Sequence, residues 1–145
     1  MLSEYLQGNV NFIDSVTSWE EAIETAASPL LKNQSITTKY IQDMIKNVHE
    51  NGPYIVIAPG IAMPHAKNEG GVLKTGISFL KLDKPVLFPE NKEVNVLFVL
   101  AAVDSSGHLD LISDLSELLI DDSMMGQLKD ATSEKEVIEL VNTVE

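Results

Sequence analysis

The apolar residues of this chain change their spacing twice, and the order of those changes constrains the fold more than any single motif. Trp19, Ala22, Ile23, Ala26, Ala27, Leu30 and Leu31, and then Tyr40, Ile41, Met44, Ile45 and Val48, recur at three- and four-residue intervals, the period of helices with one buried face. Asn51-Gly52-Pro53 stops the pattern, because glycine accepts a left-handed exit and proline cannot continue a helix. Extended patterns follow. Tyr54-Ile55-Val56-Ile57-Ala58 is β-branched and aromatic, Thr75 to Lys81 alternates, and Val94 to Leu100 reads as a strand buried on both faces. Pro59 to His65 reads as a stiff loop and Pro85 to Glu90 as a proline-flanked turn. From Gly107 the helical period returns through Leu109, Ile112, Leu115, Leu118 and Leu119. Asp121-Asp122 ends that helix, and Met124 to Leu128 form a short further turn.

Local signals sharpen the outline. Ser18 with Glu21, and Ser133 with Glu136, match capping boxes that open helices. Pro29 predicts a distorted final turn in the first long helix, and Val10-Asn11-Phe12-Ile13 reads as an edge strand. The sum, helix, helix, strand, strand, strand, helix, helix, predicts an α/β fold: a three-layer α/β/α sandwich with a mixed central β-sheet flanked by helices, forming one domain over residues 1–145. Strand order is not encoded in the spacing.

Composition narrows the function. The 145 residues include no cysteine, which excludes disulfides, thiolate metal sites and cysteine nucleophiles. All ten basic residues are lysine and the formal charge is −12, which argues against nucleic acid and anionic membranes and towards basic partners. The start of the chain lacks the basic flank and apolar stretch of a signal peptide, and the longest apolar run, Val96 to Val103, is too short to span a bilayer. The expectation is a cytoplasmic protein. No HxH or HExxH spacing, Walker A loop, dinucleotide fingerprint or G-x-S-x-G elbow is present, so no metal and no cofactor is expected.

Three histidines carry the candidate chemistry. His65 follows a strand and a loop stiffened by Pro59 and Pro64, a setting that limits the wandering of a reacting ring. His108 stands where a buried strand exits into a helix, and the unpaired amides of a helix start suit an anion. Both histidines follow predicted strands, so they are expected on one rim of the sheet. His49 reads by itself as a C-terminal helix histidine complementing the dipole.

The run Gly52-Pro53-Tyr54-Ile55-Val56-Ile57-Ala58-Pro59-Gly60-Ile61-Ala62-Met63-Pro64-His65-Ala66 resembles the phosphorylation-site segment of the enzyme IIA proteins of the bacterial phosphotransferase system, in the mannitol–fructose class. Lys74-Thr75-Gly76, Lys84-Pro85 and Ala101-Ala102-Val103-Asp104 followed by His108 are similar to its ascorbate branch. The resemblance implies a phosphotransferase acting through a phosphohistidine. His65 would accept a phosphoryl group from HPr and pass it to a cysteine of a cognate enzyme IIB. A membrane enzyme IIC would complete the uptake of a carbohydrate, L-ascorbate by the branch. It also implies that His108 stabilises the phosphoryl group, with Ser106, Gly107, Lys67 and His49 as binding residues. His49 takes the place of an arginine found in many mannitol-type members. The expected chain is a free-standing IIA, with a regulatory module of the same fold as the alternative and homodimer formation left open.

Overall fold

The computed structural model describes residues 2–144. A five-stranded mixed sheet runs in the order β1-β4-β5-β3-β2, formed by β1 (Val10–Ile13), β2 (Val56–Ala58), β3 (Gly60–Ala62), β4 (Gly76–Phe88) and β5 (Lys92–Ala101). β1 lies parallel to β4 and β3 parallel to β5, while β4 pairs antiparallel with β5 and β2 with β3. Helices α2 (Trp19–Lys32) and α3 (Thr38–Asn51) cover one face. Helices α1 (Leu2–Leu6), α4 (Ser105–Leu119), α5 (Asp122–Asp130) and α6 (Glu134–Asn142) cover the other. The three layers expected from the spacing are present.

The central strand shows why the sheet sits in the middle. Leu97, Val99 and Ala101 of β5 pack towards α2 and α3, while Val96, Phe98 and Leu100 pack towards α4, α5 and α6. Alternating side chains thus feed two separate cores, which is what a strand buried on both faces must do. Among the described residues, no helix is long and apolar enough to cross a membrane.

Helix starts follow the sequence closely, with one change. The Ser18 hydroxyl accepts the Glu21 amide at 3.2 Å and the Ser133 hydroxyl accepts the Glu136 amide at 3.2 Å. The glutamates do not reach back to the serine amides. Glu21 instead accepts the Thr17 hydroxyl at 2.6 Å, and Glu136 the Thr132 hydroxyl at 2.9 Å. A Thr-Ser pair therefore serves both helices alike. α3 runs to Asn51 and ends at Gly52, whose φ of +83° is the left-handed exit anticipated there.

Pro29 lies inside α2 near its end, and the helix continues to Lys32. Three other elements differ from the expectation. Gly60–Ala62 is a strand rather than loop: Pro59-Gly60 forms the tip of a tight hairpin in which Ala58 pairs with Ile61 and Gly60 takes φ +85°. A Cβ on Gly60 would also lie 2.9 Å from both Asn95 Oδ1 and Lys129 Nζ, so any other residue would have to displace those side-chain ends as well as adopt the positive φ. Pro85 does not end β4. It falls in a register irregularity between Lys81 and Val86, where its missing N–H costs no ladder bond. Asp121 caps a full helix, α5, where a single turn is expected.

Candidate functional site

Backbone pairing sets the site at one end of the sheet. β3 delivers the chain to Met63-Pro64-His65, and three contacts then hold that segment: the Met63 amide donates to the Ile55 carbonyl at 2.8 Å, the Leu100 amide to the Pro64 carbonyl at 3.0 Å, and the Ala66 amide to the Tyr40 hydroxyl at 3.1 Å. Tyr40 is fully buried, and its own hydroxyl donates to the Leu100 carbonyl. Burial pushes that phenol well above its ordinary range, so it remains a donor at every working pH. One hydroxyl on α3 thereby clamps the His65 segment to the end of β5. Met63, Pro64 and Ala66 are buried, while His65 between them is half-buried.

The His65 ring is fixed in orientation as well as place. Nδ1 lies 2.6 Å from the Met63 carbonyl oxygen. A carbonyl only accepts, so Nδ1 carries the hydrogen and Nε2 keeps the lone pair. The Tyr54 ring meets the imidazole edge-on at 5.8 Å between centroids, and its hydroxyl donates to the His65 carbonyl at 3.3 Å. Burial, with a smaller push from His108, lowers the pKa of His65 below the usual histidine value, partly opposed by the Met63 bond. The ring is therefore neutral near pH 7, with one nitrogen free for nucleophilic attack.

His108 converges on the same place. β5 ends at Ala101, Asp104 caps α4, and His108 lies in its first turn with its ring centroid 5.4 Å from that of His65 and the planes at 50°. A cleft of about 400 Å³ opens beside it, bounded by Lys67, Asn68, Val103, Asp104 and Ser105. Lys67 is exposed, and its ammonium is the cation of this cleft. Exposed Tyr54, Val103 and Leu109 add an apolar rim of the kind a protein partner covers.

The remaining sequence candidates fall into place unequally. The Gly107 amide already donates to the Asp104 carboxylate at 2.7 Å, which leaves Ser105 and Ser106 to offer first-turn amides without intrahelical acceptors. His49 is not with the pair. Its ring lies on Trp19 at 4.9 Å and its Nε2 is 3.5 Å from the Glu20 carboxylate. Trp19 in turn packs on Phe88, at the end of the β4–β5 ladder opposite to Ala101. Tyr40, Tyr54 and Asn68 contribute to the site and are absent from the sequence candidates. The first two read as core and strand residues, and only the fold reveals what their polar ends meet. No group of three or more His, Cys, Asp or Glu side chains suited to a metal ion occurs among the described residues.

Comparison with known proteins gives a consistent picture. The family model described as "Phosphoenolpyruvate-dependent sugar phosphotransferase system, EIIA 2" matches residues 4–144. The chain is 40% identical over 143 residues to a mannitol-specific cryptic phosphotransferase enzyme IIA component of Escherichia coli K12, covering 97% of each chain. It is 36% identical over 128 residues to the ascorbate-specific PTS system EIIA component of the same strain, covering 86% of this chain and 83% of that one. The solution structure of the mannitol-specific cryptic enzyme IIA from Escherichia coli superposes with a TM-score of 0.91 at 39% identity over 98% of each chain. The Escherichia coli mannitol enzyme IIA in complex with phosphorylated enzyme IIB superposes with a TM-score of 0.81 at 28% identity, covering 94% of this chain and 95% of that one.

Proposed function

We infer that this chain, which belongs to the EIIA 2 family of the phosphoenolpyruvate-dependent sugar phosphotransferase system, carries its phosphoryl group on Nε2 of His65. It is a phosphotransferase component that moves phosphoryl groups between proteins. The observation that carries the assignment to His65 is the Met63 carbonyl at Nδ1, which fixes the tautomer and presents Nε2 as the nucleophile.

The step needs no group beyond the protein side chains. The Nε2 lone pair of His65 attacks the phosphorus of phospho-HPr. A new P–N bond forms as the donor's P–N bond breaks, and its electron pair returns to the donor imidazole. The second step reverses the roles: a thiolate of a cognate enzyme IIB attacks, P–S forms, and the electron pair returns to Nε2. Nδ1 keeps its hydrogen and its Met63 bond throughout. Transfer of this kind depends on positioning and on stabilising charge over the equatorial oxygens. His108 stands beside that position, Lys67 and Ser105 line the adjoining cleft, and the Ser106 amide belongs to the same helix start. Gly107 contributes through the helix start that its capped amide closes. His49 is given no part, because its ring is engaged by Trp19 and Glu20.

The carbohydrate is L-ascorbate in this reading, through a membrane enzyme IIC. The two relatives' names divide between mannitol and ascorbate, and the site does not contact the sugar in such a relay. Uptake of each compound after deletion of the gene separates them. For the phosphoryl step, incubation with phospho-HPr is expected to label the protein in acid-labile form. His65→Ala abolishes the label and His108→Ala slows its appearance. A label that survives in the His65→Ala protein would remove the assignment.

A further inference from the structure

His65 and His108 stand on segments that meet only at their ends, and their spacing needs a separate explanation. On the core side, the Leu100–Pro64 bond and the Tyr40 hydroxyl hold the His65 segment to the last residues of β5. Beyond Ala101 the chain turns outward through Val103 and Asp104 before α4 begins. Those ties do not reach that stretch.

Asn68 does. Its side-chain oxygen accepts the amides of Gly70 at 3.0 Å and Val72 at 3.1 Å, and its nitrogen donates to the Val72 carbonyl at 3.3 Å. Those three bonds close the loop after His65 on itself. The fourth leaves the loop: Nδ2 donates to the Val103 carbonyl at 2.9 Å, thirty-five positions along the chain and one residue before the Asp104 cap. Among the described residues it is one of two side-chain hydrogen bonds that join the segment between β3 and β4 to the chain beyond β5, and the one made closest to His65. The second is made by the Val103 amide, which donates to the hydroxyl of Thr75, the residue before β4, at 3.3 Å.

Resting on the reading of His65 as carrier, we propose that Asn68 is a positioning residue for phosphoryl transfer, its Nδ2–Val103 bond holding the start of α4, and with it His108, beside His65. A group that must meet a transferring phosphoryl tolerates little error: a displacement of about 1 Å costs on the order of a hundredfold in rate. The other role open to Asn68 is closure of its own loop. Chemistry separates the two, because aspartate keeps the oxygen that accepts from Gly70 and Val72, two of the three loop bonds, but has no N–H to give Val103 and loses only the longest loop bond, to the Val72 carbonyl.

The experiment compares Asn68→Asp, Asn68→Ala and a charge control, Lys67→Gln, which changes net charge by the same amount as the Asp variant, leaves the tether intact and is read by the ring contacts alone, because Lys67 itself borders the phosphoryl position. Two readings are taken: ring-to-ring nuclear Overhauser contacts between His65 and His108 in the unphosphorylated protein, and the rate of phosphoryl transfer from phospho-HPr. Thermal melting confirms that each variant is folded. The proposal predicts that Asn68→Asp weakens the ring contacts and slows transfer about ten- to a hundredfold, as Asn68→Ala does. Lys67→Gln keeps the contacts. Restored contacts and normal rate in Asn68→Asp would overturn the proposal in favour of loop closure. So would slowing with the rings still together in Asn68→Asp. If phospho-HPr fails to label wild-type His65, the carrier reading falls. The ring contacts alone then decide whether Asn68 sets the pairing, and unchanged contacts in Asn68→Asp refute it.

Discussion

At the scale of single residues, the Met63 carbonyl decides what His65 can do. A free imidazole divides its hydrogen between two nitrogens and turns about its χ angles. Here one nitrogen is committed at 2.6 Å, so the other keeps its lone pair on a ring already fixed in orientation when a partner arrives. The electrostatics act in the same direction. Burial lowers the His65 pKa below its ordinary value, which keeps the ring neutral and nucleophilic. The phosphoryl-acceptance rate should therefore rise with pH through a midpoint below about 6.5 and then level off. A pH–rate profile with a constant donor concentration checks this, and a midpoint above 6.5 contradicts the burial argument. Stability follows by linkage. The unfolded chain takes up the proton first as pH falls, so His65 costs stability progressively from about pH 6.5 down through its lowered folded value. His65 itself is legible from sequence because two prolines and a helix stop frame it locally. Its tautomer is not, since that depends on a backbone bend that residue types do not announce.

At the scale of elements, the site is a junction of strand ends, and Tyr40 is its rivet. Tyr40→Phe keeps the ring and its packing but leaves the Leu100 carbonyl and the Ala66 amide without their buried partner. The expected cost is about 2–3 kcal/mol in denaturant unfolding, with slower phosphoryl transfer from a looser His65 segment. A change below about 0.5 kcal/mol would show that water replaces the hydroxyl. The far end of β4 and β5 makes a contrasting test. The hairpin there turns through Glu90 at φ 63° and Asn91 at φ 58°, a left-handed pair that suits asparagine but strains glutamate. Glu90→Gly should raise stability by about 0.5–1 kcal/mol with transfer unaffected, as the turn lies opposite the histidine pair.

These elements also mark where sequence reading succeeds. Ser18 and Ser133 announce their helices because capping is local. Tyr40 looks like any core position in a helical stripe, and its hydroxyl finds partners 26 and 60 residues away. The hairpin at Pro59-Gly60 hides for a different reason. Its strands are three residues each, too short for a two-residue period to show. Pro85 misleads because proline is read as a strand end, whereas a bulge gives it a place inside β4.

At the scale of the whole molecule, the two cores share β5, and its end is where both histidine segments are launched. His65 arrives on β3, parallel to β5 and held to Leu100. His108 arrives on β5 itself, through the turn into α4. The α/β layering and the common rim for the two histidines follow from the order of periodicities. The fate of His49 does not, because it depends on how α2 and α3 pack, and Trp19 with Glu20 holds the ring there. The acidic surface, at a formal −12, favours encounter with a basic partner face while the rim around His65 stays apolar. Raising ionic strength should slow association with phospho-HPr and leave the transfer step within the complex unchanged, which stopped-flow kinetics at several salt concentrations resolves.

The most direct measurement is the nitrogen-15 spectrum of histidine-labelled protein after phosphorylation by phospho-HPr. One phosphoryl group on Nε2 of His65, with Nδ1 still protonated, is the predicted result. Phosphorylation at Nδ1, or on another residue, would contradict it.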